Sequence, residues 1–320
     1  MKIGIVGGAG YTGGELLRLL LRHPEAEIAF VHSNSQAGKP LSAVHTDLLG
    51  ETELTFTQEV SDDIDLLFVC AGHGKTRTFL AAHSFSPDLK VIDLSRDFRL
   101  KAMDHDFVYG LPELNREAIR EASRIANPGC FATAIQLALL PLAAAGNLQH
   151  EVHIHALTGA TGAGQSPVPT THFSWRDNNI SIYKAFKHQH LGEINQSLIQ
   201  LQPGGVPALT WLPLRGDFPR GIFASLYLTC NWSEEQAIEA YQQFYADHPF
   251  TVISPVNPNL KQVVNTNKAI LFLQKHEDKL LIISMIDNLL KGASGQAVQN
   301  MNLMFGLEED LGLRLKGSAF

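Results

Sequence analysis

The chain has 320 residues, 45% of them apolar, with a formal net charge of -7 and a sequence pI near 6.0. That length and apolar content suffice for two domains with a core each. The acidic balance, with no Lys/Arg-rich run, lacks the electrostatic footprint of a nucleic-acid binder and points to small-molecule chemistry. No apolar run approaches membrane-spanning length. Met1-Lys2 leads straight into Ile3-Gly4-Ile5-Val6-Gly7, too short and glycine-rich for a signal-peptide core, so a cytoplasmic protein is expected. Cys70, Cys130 and Cys230 stand far apart with no CxxC pair, which predicts reduced thiols, with neither a disulfide framework nor a zinc site.

In chain order, Ile3 to Val6 predicts a short buried strand, and Glu15 to Arg22 a helix carrying Leu16, Leu17, Leu19, Leu20 and Leu21 that stops before Pro24. Strands follow at Ile28 to Val31, Leu66 to Ala71 and Val91 to Leu94. Their alternation with helical connections predicts a doubly wound parallel α/β sheet over the first ~130 residues. A helix is predicted from Ala132 to Ala145, kinked at Pro141 and stopped by Gly146. The texture then becomes α+β. Val152 to Leu157, Ile222 to Cys230, Ala269 to Leu273 and Leu280 to Ile286 read as strands, and Ser233-Glu234-Glu235-Gln236 as a capping box. The alternating His150, His153 and His155 are expected at a strand edge. Thr161 to Pro169 and Trp211 to Gly221, rich in Gly, Pro and polar residues, are expected to be loops near the site. Gly292 to Gly306 reads as a helix returning to the first domain.

Between the first strand and helix stand Gly7, Gly10, Tyr11, Thr12 and Gly13, giving GxxGxxG where GxGxxG is commoner. Glycines there allow a tight turn and close backbone approach, and the helix N-terminus offers free N–H groups to a pyrophosphate. A glycine turn that binds no nucleotide is the plain alternative. About 20 residues on, where NAD-binding chains carry an acid for the ribose 2′-hydroxyl, the chain reads His32-Ser33-Asn34-Ser35-Gln36-Ala37-Gly38-Lys39. With no acid, and with Ser33, Ser35 and Lys39 able to receive a 2′-phosphate, NADP(H) is preferred over NAD.

Asn127-Pro128-Gly129-Cys130 puts a cysteine at the start of a helix after a Pro-Gly turn. A helix N-terminus favours the thiolate, the form that attacks acyl groups. Cys70 and Cys230 lie in strand-like runs and fit the commoner role of small buried hydrophobes. Acyl chemistry also needs an acid/base and oxyanion donors. Tyr183-Lys184-Ala185-Phe186-Lys187-His188-Gln189-His190 supplies paired histidines, and the Gly159 to Gly164 loop, with Gly162, could offer backbone N–H groups. His-x-His without a carboxylate or Cys cluster argues against a metal. A basic surface segment is the bland reading.

Six segments in order, Gly7 to Leu16 (GGAGYTGGEL), Asp93 to Leu100 (DLSRDFRL), Tyr109 to Glu113 (YGLPE), Asn127 to Thr133 (NPGCFAT), Lys187 to Ile194 (KHQHLGEI) and Asp287 to Asn300 (DNLLKGASGQAVQN), resemble the N-acetyl-gamma-glutamyl-phosphate reductase family of arginine biosynthesis. The resemblance implies a Rossmann NADP-binding domain over 1–130 plus 290–320. It also implies an inserted α+β catalytic and oligomerisation domain over 131–289, of the glyceraldehyde-phosphate and aspartate-semialdehyde dehydrogenase type, in a homodimer or homotetramer. It makes Cys130 the nucleophile that displaces phosphate to form a thioester, which NADPH reduces to the semialdehyde, and His188 the acid/base, with His190 beside it. Arg99 of the DFR motif and Arg220 before Gly221-Ile222 become candidates for phosphate or carboxylate. Tyr183 and His190 join them as substrate residues, Asn288 is placed by the nicotinamide, and Gly162 is counted with the cofactor-binding residues. The plain reading of Arg99 is a loop brace paired with Asp97 or Asp93. The chain departs from the family pattern at Gln165, at Phe131-Ala132 after the cysteine, and over Leu212 to Asp217, which lacks the usual Pro-His pair. These departures leave an N-succinyl substrate open beside the N-acetyl one.

Two other enzyme readings compete: an aspartate-semialdehyde dehydrogenase, against which the KHQHLGEI segment argues, and hydride transfer without covalent catalysis. A non-catalytic NADP-binding sensor is the remaining class, with Cys130 structural or redox-responsive. The cofactor reading has its own test. Replacing Ser33 with Asp should weaken NADP binding far more than NAD binding; equal effects in a fluorescence titration of both cofactors would remove the 2′-phosphate assignment.

Overall fold

The computed structural model describes residues 1–72 and 74–318, and the chain falls into two compact units. The first comprises Met1–Pro128 and Ala293–Arg314, the second Gly129–Gly292 and the segment from Leu315 onward, so in chain order the second interrupts the first. The last residues thus group with the second unit, where the sequence placed them in the first; 319 and 320 lie outside the described residues. Among the described residues, no helix is long and apolar enough to cross a membrane.

The first unit is built on a parallel sheet of β1 (Lys2–Val6), β2 (Glu27–His32), β3 (Phe56–Thr57), β4 (Leu66–Val69), β5 (Lys90–Asp93), β6 (Val108–Tyr109) and β7 (Arg124–Ala126). Its spatial order is β3-β2-β1-β4-β5-β7-β6. The order reverses beside β1, which in a doubly wound sheet opens a crevice at the strands' carboxyl ends. Its strands read as continuous apolar runs because both faces are covered: Leu66, Leu67, Phe68 and Val69 are all buried. Helices α1 (Tyr11–Leu20), α2 (Thr76–Ala82) and α3 (Pro112–Glu121) connect them. α1 begins earlier than the apolar pattern suggests, because Thr12, Gly13 and Gly14 form its first turn without marking its buried face.

The second unit centres on α4 (Cys130–Ala144), whose residues from Phe131 to Ala143 are all buried. A helix apolar on every side must be a core element. Around it runs a mixed sheet of β8 (Val152–Thr158), β9 (Ser181–Ile182), β10 (Leu209–Arg215), β11 (Ile222–Thr229), β12 (Thr251–Ile253), β13 (Ala269–His276) and β14 (Lys279–Ile286), in the order β12-β13-β14-β11-β8-β10-β9. Helices α5 (Phe173–Arg176), α6 (His190–Leu201) and α7 (Glu234–Phe244) complete it, and Ser233 caps α7 through the expected box with Gln236. The chain then returns to the first unit through α8 (Gly295–Met304), which meets α1 and α3.

Two expectations are corrected here. Trp211 to Arg215 is strand, not loop: β10 runs parallel to β8 from Leu209 to Arg215. Pro213 disguised it; it is tolerated because on the side away from β8 it only accepts, its carbonyl taking the Tyr183 amide at 3.1 Å, and no donor is needed from it there. His153 and His155 are not at an edge. They lie on the open face of β8, with β10 and β11 on either side, and stack on Tyr227 of β11 at 4.9 and 6.3 Å between ring centroids.

Pro141 sits inside α4, where it has no N–H to give the Leu137 carbonyl and its ring crowds that oxygen. The neighbouring segment supplies the one missing donor, and a second hydroxyl beside it. Tyr245, just past α7, donates its hydroxyl to Leu137 O at 2.6 Å, and Tyr241 on α7 donates to Ala138 O. Tyr245→Phe is therefore expected to destabilise the protein by about 1–3 kcal/mol by orphaning a buried carbonyl. In a Pro141→Ala background, which restores the helix donor, the same change should cost clearly less. Equal losses in the two backgrounds by urea unfolding would show that the hydroxyl does not serve the proline gap.

Candidate active site

β1 delivers the chain to Gly7 at φ +75°, and a Cβ there would lie 2.6 Å from the Cys70 carbonyl oxygen. The amides of Gly7 and Gly8 both donate to His32 O, at 3.0 and 3.1 Å. A Cβ on Gly13 would strike the Gly8 backbone at 2.5 Å. The turn itself thus demands Gly7 and Gly13. Gly10 differs: a Cβ on it would meet nothing nearer than Gly7 O at 3.9 Å, so its bareness serves close approach from outside. Gly10 is also the N-cap of α1, with no capping side chain and no acid in the first turn, so the helix presents uncapped positive character around Tyr11, Thr12 and Gly13. At the end of β2, Ser33 is buried while Ser35 and Lys39 are exposed, Lys39 Nζ donating to Gln36 Oε1 at 3.0 Å. No acid intervenes. These residues fit a dinucleotide carrying a 2′-phosphate. Cys70, after β4, is inert, since burial pushes its thiol up to about 12.

Still within the first unit, Arg99 is 6% exposed, its Nε donating to Asn127 O at 2.8 Å and Nη2 to Leu94 O at 3.0 Å. Asp97 instead receives the amides of Gly74, Thr76 and Arg77. Arg99 thus braces its loop through backbone carbonyls, and its charge acts on the buried Asp93, in line with the loop-brace reading.

In the second unit, Cys130 is half-buried as the first residue of α4, with Gly129 as N-cap. Gly292 lies against it: a Cβ there would come 2.8 Å from the Cys130 Cβ, inside a π turn over Leu290–Ser294. Gly129 donates its N–H to Glu193 Oε2 at 2.9 Å, and Glu193 Oε1 lies 3.9 Å from His190 Nε2. Neither Gly292 nor Glu193 was singled out from sequence, though both lie in quoted motifs. The signals were a glycine inside a helical run, and His-x-x-Glu spacing, which puts both side chains on one helix face.

His188 and His190 are both buried and meet edge to face at 4.6 Å. Phe131, next to the nucleophile, packs edge-on to both, and Trp211 of β10 lies 4.6 Å from His188. Burial, then the neighbouring His190 and Lys184, push the His188 pKa down to about 3, against a smaller upward pull from Glu193. Since the His190 amide donates to His188 Nδ1 at 3.2 Å, the neutral ring carries its proton on Nε2. The loop before it holds Lys184 and Phe186 in left-handed conformations, at φ 46° and 61°, a local strain of order 1–3 kcal/mol each. The Tyr183 ring edges His188 at 5.8 Å, and its phenol pKa is raised by burial and by the nearby Cys130.

The Gly159 to Gly164 loop does not present the free amides expected of it. The N–H groups of Gly159, Ala160 and Thr161 donate to Gly221, Phe218 and Pro219, and those of Gly162 and Gly164 bond within the loop. Asn288, 2% exposed, pins both strands of this arrangement: its Nδ2 donates to Thr161 Oγ1 at 3.0 Å and its Oδ1 accepts from Gly221 N at 2.7 Å. Arg220 forms a two-bond pair with the fully buried Asp287, at 3.0 and 3.2 Å. That carboxylate also takes the amides of Asn265, Leu289 and Leu290. Among the described residues no group of three His, Cys, Asp or Glu could hold a metal.

Residues 2–122 match the semialdehyde dehydrogenase NAD binding domain, and residues 130–288 the semialdehyde dehydrogenase dimerisation domain. The N-acetyl-gamma-glutamyl-phosphate reductases of Parabacteroides distasonis and Bacteroides thetaiotaomicron are each 59% identical to the chain over 321 residues, covering 100% of both chains. That of Flavobacterium johnsoniae is 56% identical over 324 residues, again with 100% of both covered. Among solved structures, aspartate semialdehyde dehydrogenase II of Vibrio cholerae superposes with a TM-score of 0.75 at 17% identity, over 95% of this chain and 98% of that one. The NADP-bound enzyme of Candida albicans gives 0.70 at 15%, with the same coverage. At such identities these two establish the fold alone. Identity above one half along the whole of both chains, with both domains matched, places the protein in the N-acetyl-gamma-glutamyl-phosphate reductase family of semialdehyde dehydrogenases.

Proposed function

We propose that the protein reduces N-acetyl-gamma-glutamyl phosphate to N-acetyl-glutamate 5-semialdehyde with release of phosphate, through a thioester on Cys130. The observation that carries this reading is a half-buried cysteine at a helix N-terminus, packed by Gly292 and in the same unit as a buried His188–His190 pair. The partial positive charge at the start of α4 favours the thiolate. Its Sγ attacks the γ-acyl carbon, the carbonyl π pair moves to oxygen, and collapse breaks the C–O bond to expel phosphate and leave the thioester. The glycine turn, Ser33, Ser35 and Lys39 would hold NADPH, which when bound would supply the hydride that takes the thioester to the aldehyde level. Collapse of the resulting oxyanion returns the sulfur to Cys130 as thiolate and frees the semialdehyde.

His188 is suited to a narrower task than acid/base transfer. Its Nδ1 is occupied and its Nε2 carries hydrogen, so it donates to the oxygen that gains charge at each tetrahedral stage. His190, whose Nε2 lies 3.9 Å from Glu193 Oε1, is the candidate proton carrier. Arg99, bonded to backbone carbonyls, and Arg220, paired with Asp287, hold their loops and stay the candidates for the substrate's phosphate or carboxylate. Asn288 holds the loop that contains Gly162.

A free nucleophilic thiol needs a reducing compartment, which supports the cytoplasm as its place of work. The dimerisation-domain match supports a homodimer or homotetramer whose other partners are small molecules.

Run in reverse, with N-acetyl-glutamate semialdehyde and NADP, the purified protein should form NADPH only when phosphate is present, and Cys130→Ala should abolish turnover. Phosphate-independent NADPH formation, or an active alanine variant, would exclude the thioester route. His188→Gln is expected to lower kcat by about 10²-fold, the usual scale for a lost oxyanion donor. It should leave both limbs of the pH profile between about pH 5 and 9 in place, because a group depressed to about 3 stays neutral throughout that window. His190→Gln should remove a limb. If the His188 variant loses one instead, the two roles are reversed.

A further inference from the structure

Two arginines of the second unit lack the acidic partner that a sequestered guanidinium ordinarily takes. Arg176, at the end of α5, is 7% exposed, and its Nη2 donates to Asn179 O at 2.9 Å and Arg215 O at 3.0 Å. Its Nε and Nη1 are buried with no hydrogen-bond partner. Arg215, at the end of β10, lies 4.1 Å over the Tyr183 ring and donates Nη1 to Thr170 Oγ1 at 3.2 Å. The acids of this segment are turned to other work: Asp217 receives the Asn178 amide at 2.8 Å, and Asp177 receives the Asn178 side chain at 3.0 Å. Among the described residues neither arginine has an ion-pair partner.

Two like charges joined through a backbone carbonyl repel each other, and each buried N–H left unpaired is unfavourable. A ligand carboxylate relieves both, because its two oxygens match the planar fork of guanidinium donors. Placement gives the ligand's identity. Arg215 covers the face of Tyr183, whose edge meets His188 and whose phenol responds to Cys130. The pair thus stands behind Tyr183, across the ring cluster in which His188 packs on Phe131, the residue after the nucleophile, where the unreacting end of an acyl phosphate can be held.

We propose that Arg176 and Arg215, with the Thr170 hydroxyl, form a subsite for a carboxylate of the substrate. That carboxylate is either the α-carboxylate of the glutamyl group or a second one carried by its N-acyl group. The proposal rests on the thioester reading for where the substrate's other end reacts, but its test needs no turnover.

Full-length Cys130→Ala protein, with and without Arg215→Met, is titrated by calorimetry with N-acetyl-L-glutamate, N-succinyl-L-glutamate, N-acetyl-4-aminobutyrate and inorganic phosphate. Circular dichroism and melting check that each variant is folded. Arg215 is the primary substitution because Arg176 is more deeply buried; Arg215→Lys, keeping charge without the fork, should lose less. An α-carboxylate subsite predicts that Arg215→Met weakens both N-acyl-glutamates about tenfold or more and leaves N-acetyl-4-aminobutyrate within about twofold. A subsite for the acyl carboxylate predicts that only N-succinyl-L-glutamate weakens. Unchanged Kd values for all carboxylates, equal weakening of every ligand, weakening of phosphate alone, or no binding to the parent would each overturn the subsite. If the carboxylate pattern appears but the wild-type protein fails to turn over either semialdehyde, the reaction assignment falls and the subsite stands.

Discussion

The catalytic unit depends on one buried contact, the Gly129 amide donating to the Glu193 carboxyl group. Glu193 is 3% exposed, and a carboxyl group so far from water survives only where donors meet it. The donor it finds belongs to the residue before the nucleophile, and its other oxygen faces His190 one turn back along α6. A single side chain thereby couples the rotation of α6 to the start of α4. Moving either helix by an ångström would leave the carboxyl group without its amide partner, which is a stiffer constraint than apolar packing alone provides. Gly292 closes the arrangement from the other side, allowing the π turn to lie against the Cys130 Cβ.

The same economy runs along α4. A helix that is apolar all round can lie at the centre of a mixed sheet only if its backbone is satisfied internally, and Pro141 breaks that rule near the far end from the nucleophile. Tyr245 repairs the break at Leu137 O, and Tyr241 adds a bond to the next carbonyl, Ala138 O. Ser284 of β14 adds a donor to Ala134 O at 2.7 Å. Hydroxyls from two neighbouring segments thus meet the helix's carbonyls, which fixes it against rotation as well as translation. The thiol at its start inherits that rigidity.

What the sequence made legible was what is local. The glycine turn, the strand before it and the helix after it follow from adjacent residues, and so do the Ser233 cap and the placement of Cys130 at a helix start. The parallel core strands, apolar on both faces, were visible for the same reason. Sequence reading failed where a residue's partner is far along the chain. β10 looked like loop because Pro213 and Arg215 interrupt its pattern, while its strand character comes from pairing with β8, more than fifty residues earlier. The Gly159 to Gly164 amides looked free because their acceptors are at Phe218 to Gly221. Arg99 and Arg220 have distant partners that adjacent residues do not announce, the Asn127 carbonyl in one case and Asp287 in the other. Arg176 and Arg215, the pair left without acids, were not singled out at all, since nothing in either neighbourhood announces the other.

Charge is distributed in the second unit by burial as much as by residue type. Phe131, Trp211 and Tyr183 wall the histidines with rings, and that apolar jacket is what makes His188 neutral at any working pH. A neutral imidazole there is an advantage for an acyl phosphate, because a fixed cation beside the reacting carbonyl would bind the charged ground state and the oxyanion alike, whereas a hydrogen-bond donor strengthens as charge develops. The cationic groups are correspondingly displaced: Arg220 is neutralised by Asp287, and Arg215 is set behind Tyr183. The rings therefore separate two tasks that compete for the same electrostatics, holding an anionic substrate by its unreactive end and stabilising new charge at the carbon that reacts.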